Sequence, residues 1–187
     1  MTCIVGVIDF VKQTVIIGGD SSSSNDENIF IRKDSKVFTN GPFVIGCTGS
    51  FRMIQLLKYS FVPPEIGEKD IFEYMCTDFI NNVRQCFRDG GYIQKFQDGD
   101  EKGEIFLVGY KNRLFLIDID FQVAEHIDNY SSIGCGSNFA LGSLHTSNNE
   151  MYSPKERVLL ALEAATYLSP FVIAPFTLIE TLNQQNE

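Results

Sequence analysis

The second residue of this chain is a threonine, and a threonine freed of Met1 carries a nucleophile and a base on one residue. Its hydroxyl can attack a carbonyl carbon. Its α-amine, with a reference pKa of about 7.7–8.0, can take the hydroxyl proton directly or through water. That pairing needs no histidine, and the two present, His126 and His145, fall in a late strand and in a helix or loop. Asp20 closes an apolar hairpin at Ile16-Ile17-Gly18-Gly19-Asp20-Ser21, and Lys36 follows in Ser35-Lys36-Val37-Phe38. A buried lysine beside Thr2 would lower the pKa of hydroxyl and amine by like-charge repulsion. A carboxylate beside that lysine would keep it charged and in place. Taken singly, Asp20 reads equally as a turn residue and Lys36 as a solvated one. Gly46-Cys47-Thr48-Gly49-Ser50 stands where a strand gives way to a helix. Glycine there lets substrate approach the backbone, and the Gly49 N–H could stabilise an oxyanion by ~2.7–4 kcal/mol. The plain alternative is an ordinary strand-to-helix turn.

Other groupings carry less. Cys3 could act only after loss of two residues, which would shift it against Asp20 and Lys36. Asp118, Asp120 and Asp128 lack a further ligand at useful spacing and read as turn carboxylates, so no metal is expected. Gly134-Cys135-Gly136-Ser137 precedes a helix, yet without a following lysine it is a weak phosphate cradle.

The elements that must position these residues begin with β-rich runs at 2–9 and 14–20, joined by a polar turn at Lys12-Gln13. Strand signals continue at 28–32, 35–39 and 42–46, with Asn40-Gly41 as a turn. Helical spacing follows over 50–61, with Ser50 as cap, and over 70–88, ending at Gly90-Gly91. Residues 94–103 read as a polar loop. Strands return at 104–109, 113–118, 122–127 and 131–134, then helices at 137–144 and from the capping box Ser153-Pro154-Lys155-Glu156 to about 168. A final strand is expected within 177–182. Two packed sheets covered by helices, a four-layer αββα sandwich, is one arrangement that buries every apolar face of this α+β pattern.

Composition bounds the function. The chain has 187 residues, 44% hydrophobic, and a net charge of -9, which suits a single folded domain over 1–187. Its 15 basic residues form no cluster, so neither nucleic acid nor an anionic membrane is an expected partner. Five cysteines without a CxxC pair read as free thiols of a reducing cytoplasm. Neither a signal peptide nor a membrane span is expected.

The ordered series Thr2-Cys-Ile-Val-Gly-Val, Gly19-Asp20-Ser-Ser-Ser-Ser24, Lys36-Val37 and Gly46-Cys-Thr-Gly49-Ser50 resembles the catalytic half of proteasome β-subunits. It is most similar to the peptidase of the bacterial ATP-dependent two-component heat-shock protease. The resemblance is strong over 2–51, recognisable at 134–136, weak at 166–182 and slight between 62 and 103. It implies the fold of N-terminal-nucleophile hydrolases and a threonine peptidase with no cofactor. Thr2 would be nucleophile and base, Lys36 would tune it, Asp20 would hold Lys36 and Gly49 would form the oxyanion hole. Ser24 would pair with an extended substrate, and Cys47 would lie in the main specificity pocket. Peptide or unfolded-protein substrates, a homo-oligomeric ring and an ATP-driven unfoldase are the implied partners. Two departures stand out: Cys135 replaces a serine commonly found near the nucleophile, with Ser137 able to compensate, and Leu168-Ser169-Pro170 lacks an aspartate found in many β-subunits. The contrasting expectation is a non-catalytic subunit of the same fold, serving as a scaffold or binding a partner.

Overall fold

The computed structural model describes residues 2–24, 27–95 and 101–182. Strands β1 (Ile4–Asp9) and β2 (Thr14–Gly19) form a hairpin. It turns through Gln13, which takes a left-handed φ of 57°. The hairpin does not end its sheet. Strand β12 (Tyr130–Ile133) pairs with β1, and β13 (Thr177–Glu180) pairs with β2, giving the order β12-β1-β2-β13. The second sheet runs β11-β10-β9-β6-β5, built from β5 (Val37–Asn40), β6 (Phe43–Cys47), β9 (Phe106–Tyr110), β10 (Arg113–Ile117) and β11 (Val123–Glu125). Two short ribbons stand apart: β3 (Ser22–Ser24) with β4 (Ile29–Ile31), and β7 (Gln94–Lys95) with β8 (Glu101–Lys102). The expected 94–103 loop is thus paired at its ends, and residues 96–100 lie outside the described residues.

Alternation along β1 decides what packs where. Ile4 and Ile8 join Ile17, Val37, Val44, Leu107 and Leu114 in a cluster drawn from both sheets. Cys3, Val5 and Val7 point the other way, against α4 (Ser137–Thr146) and α5 (Pro154–Leu168). Helix α5 opens with the expected capping box between Ser153 and Glu156. A third, phenylalanine-rich cluster joins the second sheet to α1 (Phe51–Tyr59) and to the helical stretch from Ile71 to Asp89. The two sheets come close where glycines leave room. A Cβ on Gly19 would lie 2.8 Å from Val37, and one on Gly46 would lie 2.6 Å from Ile4.

The stretch expected as one helix over 70–88 is three pieces: α2 (Ile71–Tyr74), a π-helical turn at Met75–Phe79, and α3 (Ile80–Asp89). The apolar residues explain the interruption. Ile71, Met75, Phe79, Val83 and Phe87 recur every fourth residue, and on a regular α-helix each step would drift by about 40°. One wider turn resets that drift, and all but the half-buried Ile71 are buried.

Candidate active site

Pairing in the two sheets, rather than any local motif, brings the distant residues together. Thr2 and Cys3 lead into β1, Asp20 follows β2, Lys36 precedes β5 and Gly49 follows β6. Because Ile4 pairs with Gly19, Cys3 falls opposite Asp20. The Cys3 N–H donates to Asp20 Oδ1 at 2.9 Å, and the Asp20 N–H donates to the Cys3 carbonyl at 3.3 Å. Lys36 Nζ donates to the same Oδ1 at 2.9 Å, with side-chain exposures of 2% for Lys36 and 0% for Asp20. The second carboxylate oxygen accepts from Ser22, at 3.0 Å from its N–H and 2.6 Å from its hydroxyl. A buried carboxylate must be satisfied on both oxygens, and these donors do so. Burial pulls the Lys36 ammonium below its usual range while the Asp20 charge works against that loss.

Thr2 is itself buried, at 3% exposure. Its carbonyl accepts from the Gly136 N–H at 3.3 Å, and its nitrogen lies 3.3 Å from Cys135 Sγ. Gly134 has φ +96°, and a Cβ there would stand 2.2 Å from the Thr2 carbonyl oxygen, so no other residue fits. Cys135, on the turn between β12 and α4, is solvent-exposed. Ser137 is half-buried at the first turn of α4, its N–H donating to the Gly134 carbonyl at 3.1 Å.

Gly49 takes φ +71° immediately before the Ser50 cap of α1. Among the described residues its N–H makes no hydrogen bond, which leaves a donor open beside a helix N-terminus. The preceding Thr48 is anchored, its N–H and hydroxyl both donating to the Ile105 carbonyl, at 3.2 and 2.8 Å. Its methyl group also approaches Gly134, so the Thr48-Gly49 turn abuts the residue that packs on Thr2.

The remaining expected residues lie farther from this hub. Ser24 ends β3 opposite Ile29, half-buried. Cys47 is wholly buried in the phenylalanine-rich cluster, and burial pushes its thiol far up. Cys3 is equally buried, its thiol pushed up to about 12, chiefly by desolvation. A protonated, enclosed thiol is a poor nucleophile. Asp118 and Asp120 accept bonds from Ile119 and Gln122 within their own turn. Among the described residues no group of three His, Cys, Asp or Glu side chains could hold a metal, and no helix is long and apolar enough to cross a membrane. Ser169 caps the end of α5, its N–H donating to the Ala165 carbonyl.

Two contributors carried no clear sequence signal. Ser22 was one of four consecutive serines, and its two bonds to Asp20 Oδ2 single it out; its hydroxyl also lies 2.5 Å from the Phe171 carbonyl. Glu104 lies against Gly49, brought there by pairing of β6 with β9.

No protein-family model matches the chain, and no curated protein matches it in sequence. Solved structures do match. The fold is similar to that of Thiobacillus denitrificans BPH in complex with epoxomicin, with TM-score 0.82 and 16% identity over 98% of this chain and 100% of that one. Eukaryotic HslV from Trypanosoma brucei matches at TM-score 0.67 and 18% identity, covering 96% of this chain and 98% of its own. The Anbu Gly-1 mutant from Hyphomicrobium sp. strain MC1 matches at TM-score 0.67 and 16% identity, covering 98% and 82%. The resemblance to proteasome β-subunits and HslV holds at the level of the fold.

Proposed function

We propose that this chain is a threonine-type peptidase in which Thr2, freed of Met1, is the nucleophile. In this reading 1–187 is one domain, a four-layer αββα sandwich of the N-terminal-nucleophile hydrolase type. The observation that carries the proposal is the buried Lys36–Asp20 pair, joined through Asp20 Oδ1 to the backbone directly after Thr2. Burying two charges costs several kcal/mol before they attract one another, and a merely structural site has easier ways to fill that space.

The chemistry follows from the groups. Thr2 Oγ1 adds to the scissile carbonyl carbon as its proton passes to the α-amine. The Lys36 charge lowers the pKa of both groups, so more of the amine is free to accept the proton. The carbonyl oxygen becomes an oxyanion and takes the open Gly49 N–H. The C–N bond then breaks, the ammonium returns its proton to the leaving amine, and an ester remains on Thr2. Water, deprotonated by the same amine, attacks that ester, releasing the carboxylic acid and restoring the hydroxyl. The extended substrate would pair along Ser24 and the Thr48-Gly49 turn, with Cys47 beneath the specificity pocket.

Intact mass before and after exposure to epoxomicin tests the reading. The expected result is a protein lacking Met1 that gains one adduct, with no adduct on Thr2→Ala. Retained Met1 with no adduct would favour the alternative, a non-catalytic subunit that serves as a scaffold or binds a partner.

A further inference from the structure

Glu104 occupies an unusual position. It lies between β8 and β9, and the adjoining Ile105 carbonyl is held by both donors of Thr48. Its side chain takes the space that any side chain on Gly49 would need: a Cβ built there would lie 2.5 Å from Glu104 Cδ and 2.6 Å from Oε2. The carboxylate is half-buried, and among the described residues no lysine, arginine or histidine forms a salt bridge with it. Tyr92 shares this corner, its hydroxyl pushed up to about 12 by burial and then by the Glu104 charge.

An unpaired carboxylate beside the donor that receives an oxyanion poses a problem. Negative charge developing on the substrate oxygen is repelled by it, and the partly desolvated setting makes the repulsion stronger than in water. A substrate can cancel that repulsion by bringing a positive charge to the same corner. The substrate residue best placed to do so is the one whose carbonyl oxygen meets the Gly49 N–H, because its side chain leaves the chain one bond away.

We infer that Glu104 selects substrates with lysine or arginine at the residue whose carbonyl is attacked. The inference rests on the threonine-peptidase reading above. Charge matching of this kind acts mainly on the reacting complex, so it separates substrates by rate more than by affinity. A neutral side chain leaves the carboxylate uncompensated, and an acidic one adds a like charge.

Three peptidyl epoxyketones, identical except for arginine, leucine or glutamate next to the warhead, test this through the rate of adduct formation read by intact mass. The arginine compound should react at least tenfold faster than the leucine compound, and the glutamate compound slowest. Glu104→Gln should cut the arginine-to-leucine ratio at least fivefold, and Glu104→Lys should place glutamate ahead of arginine. Equal rates in the unmodified protein, or a preference unchanged in both variants, would overturn the inference and leave the peptidase reading standing. Failure of all three compounds to label the unmodified protein would overturn both.

Discussion

A thiol 3.3 Å from the Thr2 nitrogen is a weaker hydrogen-bond partner than a serine hydroxyl in its place would be. An ordinary hydrogen bond contributes about 0.5–1.5 kcal/mol, which corresponds to a rate factor of roughly two to ten. Cys135→Ser should therefore speed epoxomicin adduct formation by that factor, and Cys135→Ala should slow it by a similar one. Equal rates in all three proteins would remove Cys135 from the site. At this scale Asp20 and Lys36, taken singly in the sequence, read equally as a turn residue and a solvated one, and only their order with Thr2 and Gly49, which resembles a known family, points to chemistry. Ser22 and Glu104 could not be read so. A serine in a run of serines, and a glutamate at the head of an apolar strand, acquire meaning only from what lies opposite them.

Asp20 and Lys36 sit at strand ends, where pairing fixes their backbones and the two sheets enclose their side chains. Lys36→Ala should abolish adduct formation. Burial adds a stability cost to that expectation, because the variant leaves the Asp20 carboxylate without its cation. Removing one partner of a buried pair costs ~3–5 kcal/mol, and the lower figure applies because Asp20 keeps the donors of Cys3 and Ser22. The sign of the pH dependence is also set. Burial lowers the Lys36 pKa from its ordinary 10.5, so the unfolded chain binds the extra proton more tightly. Native stability relative to Lys36→Met should then rise as pH climbs toward 10.5. Denaturant melts of the two proteins across that range check this, and a flat difference would mean that the lysine is not strained by burial. Element positions were largely legible, since alternation, caps and turn residues are local. The π-turn was not, because a repeat of four fits a helix until the drift is summed over five positions.

Strand β4 exposes Ile29, Phe30 and Ile31 at 45%, 55% and 50%. Three exposed apolar residues on a two-stranded ribbon are a liability for a lone protomer. The homo-oligomeric ring implied by the family resemblance would supply a cover for them. Native mass measurement should return a multimer, and a monomer alone at working concentration would count against the ring. Sheet membership was the part least legible in the sequence. Strands come in two blocks along the chain, yet each sheet draws from both blocks. Nothing within a strand records which distant strand it will pair with, because period-two alternation is the same for every partner.

That mixing has a consequence for biogenesis. Strand β1 waits for β12, β2 waits for β13, and the serines beside Asp20 wait for carbonyls in the 171–175 segment. Such long-range pairing forms late. A ribosome that has released only the first 150 residues has made Thr2, Asp20, Lys36 and Gly49, but neither β13 nor the carbonyls that receive the serines. Under the peptidase reading, a site woven this way stays harmless to its own nascent chain, and to the chaperones that attend it, until residues 171–180 have been made.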